Sequence, residues 1–488
     1  MASSIVEAIG EHSRGKSKKI CLIDGELKLT YSEYFRHIYG FSEYLKARGV
    51  KKGDYTVVRT SQTASFFTSG AAIQLAGAIF VPVEKRISPD NLNEILKITN
   101  AKFLLSEIEE NVEVDTIEMS EALNNKIDLI TYDEITYPKG DDIAEVLFTT
   151  GTTGKSKGVV CTHSSVIAIA ENVIDGTQME QDNVEIIPGP YNHSNPLRRY
   201  YTNMYNGSCT VTANGVTFVD VFFKSIEENK VTSINLVPAF VSMIFSLSGN
   251  KLGEYKDQLK YIQVGGSIFP QADKDKLCEL LPDTRLYDFY GSTEAGCACT
   301  YDFNKYGEIK NCVGKPTKNS IFKFVDEEGN EVPGTEENPG FLICGGAMTM
   351  SGYFGDPELT AQTMKDGYIV SKDLAYMDED GNIYILGRKD DIINMGGNKI
   401  SPAEIEAVAR MYAGVEECAC VAAKDKMMGE VPKLFIKAKD RDNMDLSDFK
   451  KYLSSRVDQS KMPKHFKIID EFPLTYNGKI KRRELMEM

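Results

Sequence analysis

The most constraining feature of this chain is a run of small and hydroxylated residues that follows a short apolar segment. Residues 149–158 read TTGTTGKSKG, and residues 144–148 before them read AEVLF. Small residues let backbone amides approach an anion closely, and hydroxyl and ammonium groups can bind its oxygens. The pattern predicts a phosphate-binding loop.

A Walker loop is one alternative, because Gly154, Lys155 and Ser156 resemble the end of that motif. The Walker spacing requires a glycine five places before Gly154, where this chain has Thr149. The β-branched stretch 158–162 follows, so the predicted order is strand, loop, strand rather than strand, loop, helix. We therefore expect a flexible hairpin over a triphosphate, with a solvated loop that binds nothing as the alternative.

Composition excludes several classes of protein. The 488 residues are 42% hydrophobic and 26% charged, as in an ordinary soluble protein of two to four domains, and the net charge of −15 argues against a nucleic-acid partner. The ten cysteines form no CxxC pair, which favours reduced thiols. Glu7 stands where a signal peptide would be basic or apolar, and the longest apolar run, near 71–83, is too short to span a bilayer. We expect a cytoplasmic protein without stable membrane insertion.

Alternating patterns predict a layered α/β architecture with a largely parallel sheet. Residues 20–30 predict a hairpin, after which Thr30 or Ser32 can cap a helix. A helix over 64–77 leads into an apolar strand at 78–83.

Hairpin-rich sequence begins near Ile321, with turns predicted at 326–330 and 378–382. The second turn resembles a calcium loop, but its glycine is at the fourth place and the closing glutamate is missing, which favours a turn. The charged stretch 387–391 predicts a domain boundary, and a helix over 403–410 with Ser401 as its N-cap follows.

Several blocks, in this order, resemble the adenylate-forming superfamily of acyl-CoA synthetases, peptide-synthetase adenylation domains and beetle luciferases. The matching blocks are the phosphate loop, YGSTE at 290–294, Asp373, GR at 387–388, GGNK at 396–399 with SPAEIE at 401–406, and NGK at 477–479. The departures are modest: Ser156 replaces a proline, SKD at 371–373 replaces TGD, and Lys399 stands where arginine is common.

The resemblance implies a large, multi-layered N-terminal domain over residues 1–389 and a smaller, mobile α+β domain over 390–488, with a hinge near Asp390. It implies two steps in one pocket: a carboxylate attacks the α-phosphate of ATP and releases pyrophosphate, and a thiol then attacks the acyl-adenylate. ATP, Mg²⁺ and coenzyme A are the implied cofactors. Concentrated positive charge is needed in the first step because the two reactants are anions.

The resemblance also assigns residues. Lys479 would bridge the acid and the α-phosphate, Glu294 would hold Mg²⁺, Asp373 would bind the ribose hydroxyls, and Thr293 and His193 would complete the catalytic set. The implied ATP-binding residues are Thr149, Thr150, Gly151, Thr152, Thr153, Gly154, Lys157, Gly266, Ser267, Asp288, Phe289, Tyr290, Gly291, Thr293, Asp373, Arg388 and Lys479. The implied acyl pocket comprises His193, Arg198, Gly265, Phe289 and Cys297, and the implied hinge and coenzyme A face comprises Asp390, Gly396, Gly397 and Lys399.

Two positions bear on the substrate. Amino-acid-activating members have an aspartate where this chain has Ser194, so an α-amino acid is disfavoured, and His193 resembles the gating aromatic residue of acyl-CoA synthetases. No carrier domain follows Met488, which favours free coenzyme A as acceptor. Phe289 stands where many members have glycine, so a short pocket is expected.

Arg198 is the least usual residue of the expected pocket, because a buried arginine is costly unless it is paired. We hypothesise that it recognises a second polar or anionic group on the acid. The alternative is that Arg198 and Arg199 turn outward into solvent. Two other functions stay open: an adenylating enzyme that loads a carrier protein or an amine, and a nucleotide-binding protein that has lost ligase activity.

Overall fold

The computed structural model describes residues 2–150, 156–267, 269–307, 309, 311–388, 391, 393–395, 398–474 and 480–488. The side chains of residues 150, 156, 394, 398 and 399 are outside the described part. The α-helices, numbered along the chain, are α1 (Ile5–Gly15), α2 (Tyr31–Ala47), α3 (Ala64–Leu75), α4 (Pro89–Thr99), α5 (Glu121–Asn124), α6 (His163–Thr177), α7 (Ser194–Asn206), α8 (Val219–Glu228), α9 (Pro238–Ser248), α10 (Gln271–Leu280), α11 (Phe303–Tyr306), α12 (Pro357–Thr363), α13 (Pro402–Arg410), α14 (Leu446–Ser454) and α15 (Arg482–Glu487).

The strands are β1 (Ile20–Asp24), β2 (Leu27–Thr30), β3 (Tyr55–Arg59), β4 (Ile79–Val83), β5 (Phe103–Ser106), β6 (Asp115–Glu118), β7 (Ile143–Thr150), β8 (Ser156–Thr162), β9 (Val184–Ile187), β10 (Cys209–Thr212), β11 (Ser233–Leu236), β12 (Tyr261–Gly265), β13 (Arg285–Ser292), β14 (Gly296–Asp302), β15 (Cys312–Pro316), β16 (Ile321–Val325), β17 (Glu331–Val332), β18 (Gly340–Gly345), β19 (Gly352–Tyr353), β20 (Met364–Lys365), β21 (Tyr368–Met377), β22 (Ile383–Arg388), β23 (Ile393–Met395), β24 (Asn398–Ile400), β25 (Val415–Asp425), β26 (Gly429–Ala438) and β27 (His465–Ile468).

The described strands form three sheets. The large sheet has the order β17-β16-β18-β21-β22-β15-β14-β13-β12-β11-β9-β10-β1-β2, with β20 beside β21. The second sheet has the order β19-β8-β7-β4-β3-β5-β6, and the small C-terminal sheet has the order β24-β23-β26-β25, with β27 beside β26. Strands β9 to β13 run parallel, whereas antiparallel pairs dominate from β13 to β22, so the predicted change of pattern at Ile321 begins earlier in the structure, at β13.

A layer of helices lies between the large and second sheets and explains why the architecture is multi-layered. Nearly every residue of α3 is buried, which requires cover on all sides rather than on one face. One core cluster joins α1, α2, α3, α6 and α7 to strands of both sheets. Further clusters cover the opposite face of the large sheet with α8, α9 and α10, and the opposite face of the second sheet with α4. The predicted α/β fold is confirmed.

The C-terminal part of the chain has its own hydrophobic core. Helices α13 and α14 pack on one face of the small sheet, and α15 packs on the other through Leu485. The predicted helix over 403–410 is present, although the Ser401 side chain makes no capping hydrogen bond.

Local predictions made from capping and turn residues are confirmed. Thr30 forms a capping box with Glu33 at the start of α2. The stretch 378–382 is a turn, in which the Asp378 carboxylate accepts bonds from the backbone and side chain of Asn382 at 2.8 and 2.9 Å. Each of the ten cysteines is a free thiol. Every helix in the described part of the chain is too short or too polar to cross a bilayer.

Candidate functional site

The hairpin that carries the predicted phosphate loop joins β7 to β8. The two strands are antiparallel, and Thr149 lies opposite Lys157. The Thr149 hydroxyl donates a 3.4 Å hydrogen bond to the Lys157 carbonyl oxygen. This pairing confirms the strand, loop, strand order. Residues 151–155 of the loop lie outside the described residues, and so does the side chain of Thr150. Four predicted phosphate-binding residues are among them: Gly151, Thr152, Thr153 and Gly154.

A glycine lets a further strand approach this hairpin. Strand β19 pairs with β8 on the edge opposite β7, and the Phe354 amide donates to the Gly158 carbonyl at 2.7 Å. A Cβ atom on Gly158 would lie 2.9 Å from side-chain atoms of Phe354 and Val146. Glycine at this position therefore allows β19 to bring Tyr353 beside the phosphate loop.

Tyr353 connects two predicted site residues. The Lys157 ammonium lies 5.6 Å from the centre of the Tyr353 ring, a cation–π distance. The Tyr353 hydroxyl donates a 2.7 Å hydrogen bond to Oε1 of Glu294. Burial, together with the Glu294 carboxylate, raises the pKa of Tyr353. The hydroxyl therefore stays protonated and keeps donating to Glu294.

Glu294 lies in the turn between β13 and β14, so the contact with Tyr353 joins the large sheet to the second sheet. The Glu294 carbonyl also accepts the Met350 amide at 2.8 Å. The described residues contain no group of three or more side chains that could hold a metal by themselves. One carboxylate fits Mg²⁺ nevertheless, because this ion is commonly held by one or two carboxylates together with substrate phosphates. The bond to Tyr353 uses Oε1, which leaves Oε2 to be offered to a cation.

Asp373 is held by two neighbours within the large sheet. It lies opposite Arg388 across β21 and β22, with the Arg388 Nε atom 3.4 Å from its Oδ1. The Tyr290 hydroxyl donates to its Oδ2 at 2.5 Å. Burial raises the pKa of Asp373, while the Tyr290 hydrogen bond and the Arg388 charge oppose that rise. Lys372 has a φ of 62°, so the residue that replaces the family glycine keeps a glycine-like backbone.

Asp288 is paired with a lysine that the sequence analysis did not single out. The Lys274 ammonium, on α10, lies 2.7 Å from Asp288 Oδ2. Burial raises the pKa of Asp288, and the Lys274 charge lowers it. A paired carboxylate at this edge of the sheet can still accept a hydrogen bond from an adenine amino group.

The Phe289 ring covers the end of β12. Gly265 and Phe289 are partners in the parallel pair of β12 and β13. A Cβ atom on Gly265 would lie 2.1 Å from the Phe289 ring, so glycine is required for the ring to lie flat on the strand. The other predicted residues at this sheet edge are exposed or half-buried: Gly266, Ser267, Gly291 and Thr293.

His193 stands at the N-cap of α7 and is half-buried. Its side chain makes no capping hydrogen bond, while its backbone amide donates to the Pro190 carbonyl at 3.1 Å. Cys297 is buried, and burial raises the pKa of its thiol to about 12. Cys297 is therefore a neutral thiol at neutral pH rather than a nucleophile.

The alternative in which Arg198 and Arg199 turn outward is wrong. Their side chains are 4% and 1% exposed, and each forms an ion pair with a fully buried glutamate, Glu145 or Glu185. The Glu145 charge keeps the pKa of Arg198 raised even though burial lowers it. The expected pocket residue Arg198 is thus neutralised from within the protein, because an unpaired buried cation would be too costly.

The predicted C-terminal residues are described only in part. Asp390, Gly396, Gly397 and Lys479 lie outside the described residues, and so does the side chain of Lys399 on β24. The structure therefore describes the part of the candidate site that comes from residues up to Arg388, and the C-terminal assignments stay predictions.

Sequence reasoning missed Tyr353 and Lys274. The chain contains 24 tyrosines, and no local pattern distinguishes Tyr353 from the others. Lys274 lies on a helix with mixed charges. Both side chains gain their role from contacts outside their own element: Glu294 is 59 residues from Tyr353, and Asp288 is 14 residues from Lys274.

Two protein-family models match the chain in order. A model described as AMP-binding enzyme matches residues 10–354, and one described as AMP-binding enzyme C-terminal domain matches residues 404–479. The predicted ATP-binding residues up to Gly291 and Thr293 fall within the first match, and Lys479 ends the second.

Curated proteins and solved structures give the same picture over nearly the whole chain. A feruloyl-CoA synthase from Amycolatopsis sp is 28% identical over 468 residues, 94% of each chain. A fatty acid–acyl-carrier-protein ligase from Streptomyces coeruleorubidus is 27% identical, covering 99% of this chain and 96% of the relative. The o-succinylbenzoate CoA synthetase from Bacillus subtilis, solved with the acyl-adenylate intermediate OSB-AMP, has a TM-score of 0.85 at 25% identity and covers 98% of this chain and 97% of its own. Because the first family model alone matches more than half of the chain, this protein belongs to the AMP-binding enzyme family.

Proposed function

We propose that this protein is an ATP-dependent, AMP-forming ligase that converts a carboxylic acid to its acyl-adenylate with release of pyrophosphate, and then transfers the acyl group to coenzyme A. The observation that carries the proposal is the match to both family models, in order, on a chain that places Lys157, Tyr353 and Glu294 in contact at the base of the phosphate loop. The curated relatives are ligases that join acids to coenzyme A or to a carrier protein.

In this proposal the nucleotide lies along the carboxyl ends of β12 and β13. Asp373 accepts hydrogen bonds from the ribose hydroxyls, and Arg388 holds Asp373 in place. Gly266, Ser267, Asp288 and Tyr290 border the adenine. Thr149, Thr150 and Lys157 bind the β- and γ-phosphates with the loop residues 151–154. Glu294 would hold Mg²⁺, which supplies charge neutralisation at the phosphates.

The chain is divided, in this proposal, into a domain over residues 1–389 and a domain over 390–488 with a hinge at Asp390. The C-terminal domain presents Lys479 to the acid and the α-phosphate in the first step. It then rotates, withdraws Lys479 and presents the face around Gly396, Gly397 and Lys399 to the incoming thiol. A hinge can absorb such a change at a few backbone positions.

We place the acyl chain between His193, Phe289 and Cys297. The Phe289 ring on Gly265 supports a short pocket. The ion pair of Arg198 with Glu145 weakens the hypothesis that Arg198 recognises an anionic group, because the pair carries no net charge. Ser194 in place of the aspartate of amino-acid-activating enzymes supports an acid without an α-ammonium group.

Coenzyme A is the preferred acceptor, and an acyl-carrier protein is the second candidate because one relative is a ligase of that kind. Supplying the enzyme with preformed acyl-adenylate and either free coenzyme A or a carrier protein separates the two. We propose a cytoplasmic location, where ATP and reduced coenzyme A are available.

The function is tested in two stages. A panel of carboxylic acids is first screened for AMP and pyrophosphate release, and the acid with the highest turnover is kept. Lys479→Ala is then expected to lose adenylate formation by orders of magnitude, as removal of a transition-state contact does, while it keeps thioester formation from preformed acyl-adenylate. Equal loss of both half-reactions would contradict the two-step use of the C-terminal domain. No pyrophosphate release with any acid would contradict the ligase itself.

A further inference from the structure

The C-terminal domain contains a buried carboxylate that is shared by two arginines. Glu406, on α13, has a side chain that is fully buried. It accepts hydrogen bonds from Arg482 at 2.6 and 2.9 Å, one to each carboxylate oxygen, and from Arg410 at 3.3 Å. The Cys420 amide donates to the same carboxylate at 2.7 Å. We expect this ion pair to hold its residues in place, because removing one partner leaves a buried charge uncompensated and destabilises the domain.

Arg482 connects the C-terminal helix α15 to Glu406. It is the first residue of α15, and its guanidinium also donates to the Cys420 carbonyl on β25 at 2.8 Å. Two parallel bonds from a planar guanidinium to a carboxylate constrain direction as well as distance. Ile480 and Leu485, on either side of Arg482, pack into the same small apolar cluster. The last turn of the chain is thus held by polar and apolar contacts together.

The described residues that flank 475–479 contact each other. Leu474 and Ile480 form an antiparallel bridge, and the Lys481 amide donates to the Pro473 carbonyl at 2.8 Å. Lys479 lies immediately before Ile480 and three residues before Arg482 in the sequence. The described residues on both sides of Lys479 are therefore tied to each other and, through Arg482, to α13.

We propose that the Glu406–Arg482 ion pair is a positioning device for adenylate formation: it fixes the chain end so that Lys479 meets the acid and the α-phosphate at a set distance. The inference rests on the proposed function, in which Lys479 acts only in the first half-reaction. Arg482 itself contacts neither reactant and acts through Lys479.

Arg410 offers a closely matched control. Its side chain is 26% exposed, as is that of Arg482, and it binds the same glutamate. It also donates to a carbonyl of β25, that of Cys418, at 3.0 Å. Arg410 lies on the same helix as Glu406, however, so its loss disturbs the buried carboxylate without releasing the chain end.

The experiment compares Arg482→Met, Arg410→Met and the wild-type full-length enzyme in three measurements. These are ATP–pyrophosphate exchange with the best acid from the screen, thioester formation from the preformed acyl-adenylate of that acid, and thermal unfolding. We expect Arg482→Met to lower kcat for exchange on the order of 10- to 100-fold, as displacement of a catalytic group by about 1 Å does. The KM for ATP and the rate of thioester formation should stay close to wild type. Arg410→Met should lower the unfolding temperature to a similar degree and leave the ratio of the two half-reactions unchanged.

Hydrogen exchange of the Lys481 amide gives a readout that does not depend on catalysis. It should become faster in Arg482→Met and stay protected in Arg410→Met. If Arg482→Met unfolds, Arg482→Lys, which keeps the charge but loses the paired bonds, takes its place with a smaller expected loss of exchange. Equal effects of the two arginine variants on the ratio of half-reactions, or equal loss of both half-reactions in Arg482→Met, would overturn the proposal. These outcomes are distinct from failure of the proposed function, which Lys479→Ala reports by itself.

Discussion

The two ends of the proposed nucleotide site are built in different ways. At the ribose end, Tyr290, Asp373 and Arg388 belong to strands of one sheet, and Asp373 and Arg388 are direct cross-strand neighbours. At the phosphate end, Lys157 and Tyr353 come from the second sheet, whereas Glu294 comes from a turn of the large sheet. The ribose end is therefore set by strand register, and the phosphate end by how two sheets pack against the central helices.

The difference has a functional consequence. Contacts within a sheet are fixed by a ladder of backbone hydrogen bonds, so we expect the proposed ribose end to be formed before nucleotide binds. At the proposed phosphate end, the hydroxyl–carboxylate bond from Tyr353 to Glu294 joins a strand of the second sheet to a turn of the large sheet. Variants at the two ends should therefore have different effects. Ribose-end variants should lower nucleotide affinity, and phosphate-end variants should change the dependence on metal ions.

The largest effect is expected for Glu294→Gln. Removing the charge of the proposed metal ligand should lower the affinity for Mn²⁺ in the presence of a non-hydrolysable ATP analogue by about 100-fold or more, beyond what loss of an outer partner costs. Electron paramagnetic resonance of Mn²⁺ measures this without turnover. AMP affinity, which involves the ribose end, should hardly change. The ribose-end variant Arg388→Met should lower AMP affinity and leave Mn²⁺ affinity nearly unchanged. If both variants changed the same affinity, the division of the site into two ends would be refuted.

A smaller effect is expected for Tyr353→Phe. The ring and its contact with Lys157 are kept, but Glu294 loses the hydroxyl that orients it. Loss of such an outer partner typically costs about 10- to 100-fold in metal affinity or activity, and added Mg²⁺ should restore most of the exchange rate. Tyr384→Phe is the matched control, because Tyr384 also donates to a carboxylate, that of Asp378, at 2.9 Å but away from the site. A Tyr353 variant with wild-type metal dependence would exclude Tyr353 from the metal site.

The smallest effect is a shift in pH dependence at the ribose end. In the proposed site, ionised Asp373 accepts bonds from both ribose hydroxyls, and burial raises its pKa above the ordinary aspartate value. AMP affinity should therefore fall as the pH is lowered through this raised pKa, at a higher pH than an exposed aspartate would require. Tyr290→Phe removes a hydrogen bond that lowers the pKa of Asp373, so AMP affinity should begin to fall at a still higher pH. Asp373→Asn should abolish this pH dependence. Calorimetric titration of AMP against pH measures all three.

The same raised pKa predicts a change in stability. A carboxyl group whose pKa is higher in the folded than in the unfolded protein stabilises the fold below the unfolded value, and this contribution is lost as the pH rises through the folded value. The free energy of unfolding of wild type, measured relative to that of Asp373→Asn, should therefore fall as the pH rises across that range. Chemical unfolding at several pH values tests the sign, and a difference that grows with pH would contradict it.

Much of this arrangement could be predicted from local sequence. The capped start of α2 at Thr30, the turn at 378–382 and the hairpin of β7 and β8 depend on residues within a few positions of each other. The blocks around Glu294 and Asp373, by contrast, are recognised through resemblance to a known family rather than through local geometry. Local capping, turn geometry and period-two alternation act over short distances, so a sequence displays them directly.

The partners of charged side chains could not be predicted. Arg198 and Arg199 are adjacent in the sequence and both are buried, yet one pairs with Glu145 of the second sheet and the other with Glu185 of the large sheet. Each nitrogen of the Arg199 guanidinium has a hydrogen-bond partner, including a 2.8 Å bond to Tyr261, whereas Arg198 Nε has no hydrogen-bond partner among the described residues. Successive residues of a helix point in different directions, and which sheet each meets depends on how the layers stack.

The fold class and many element boundaries could be predicted from the amino-acid sequence because they follow from periodicity and local geometry, whereas the order of the motifs indicated the candidate site residues through resemblance to a known family. The links Tyr353–Glu294, Lys274–Asp288 and Arg482–Glu406 came only from the folded chain. Each joins residues of different elements, and burial makes each link specific, since a charge or hydroxyl removed from water must find a partner inside the protein.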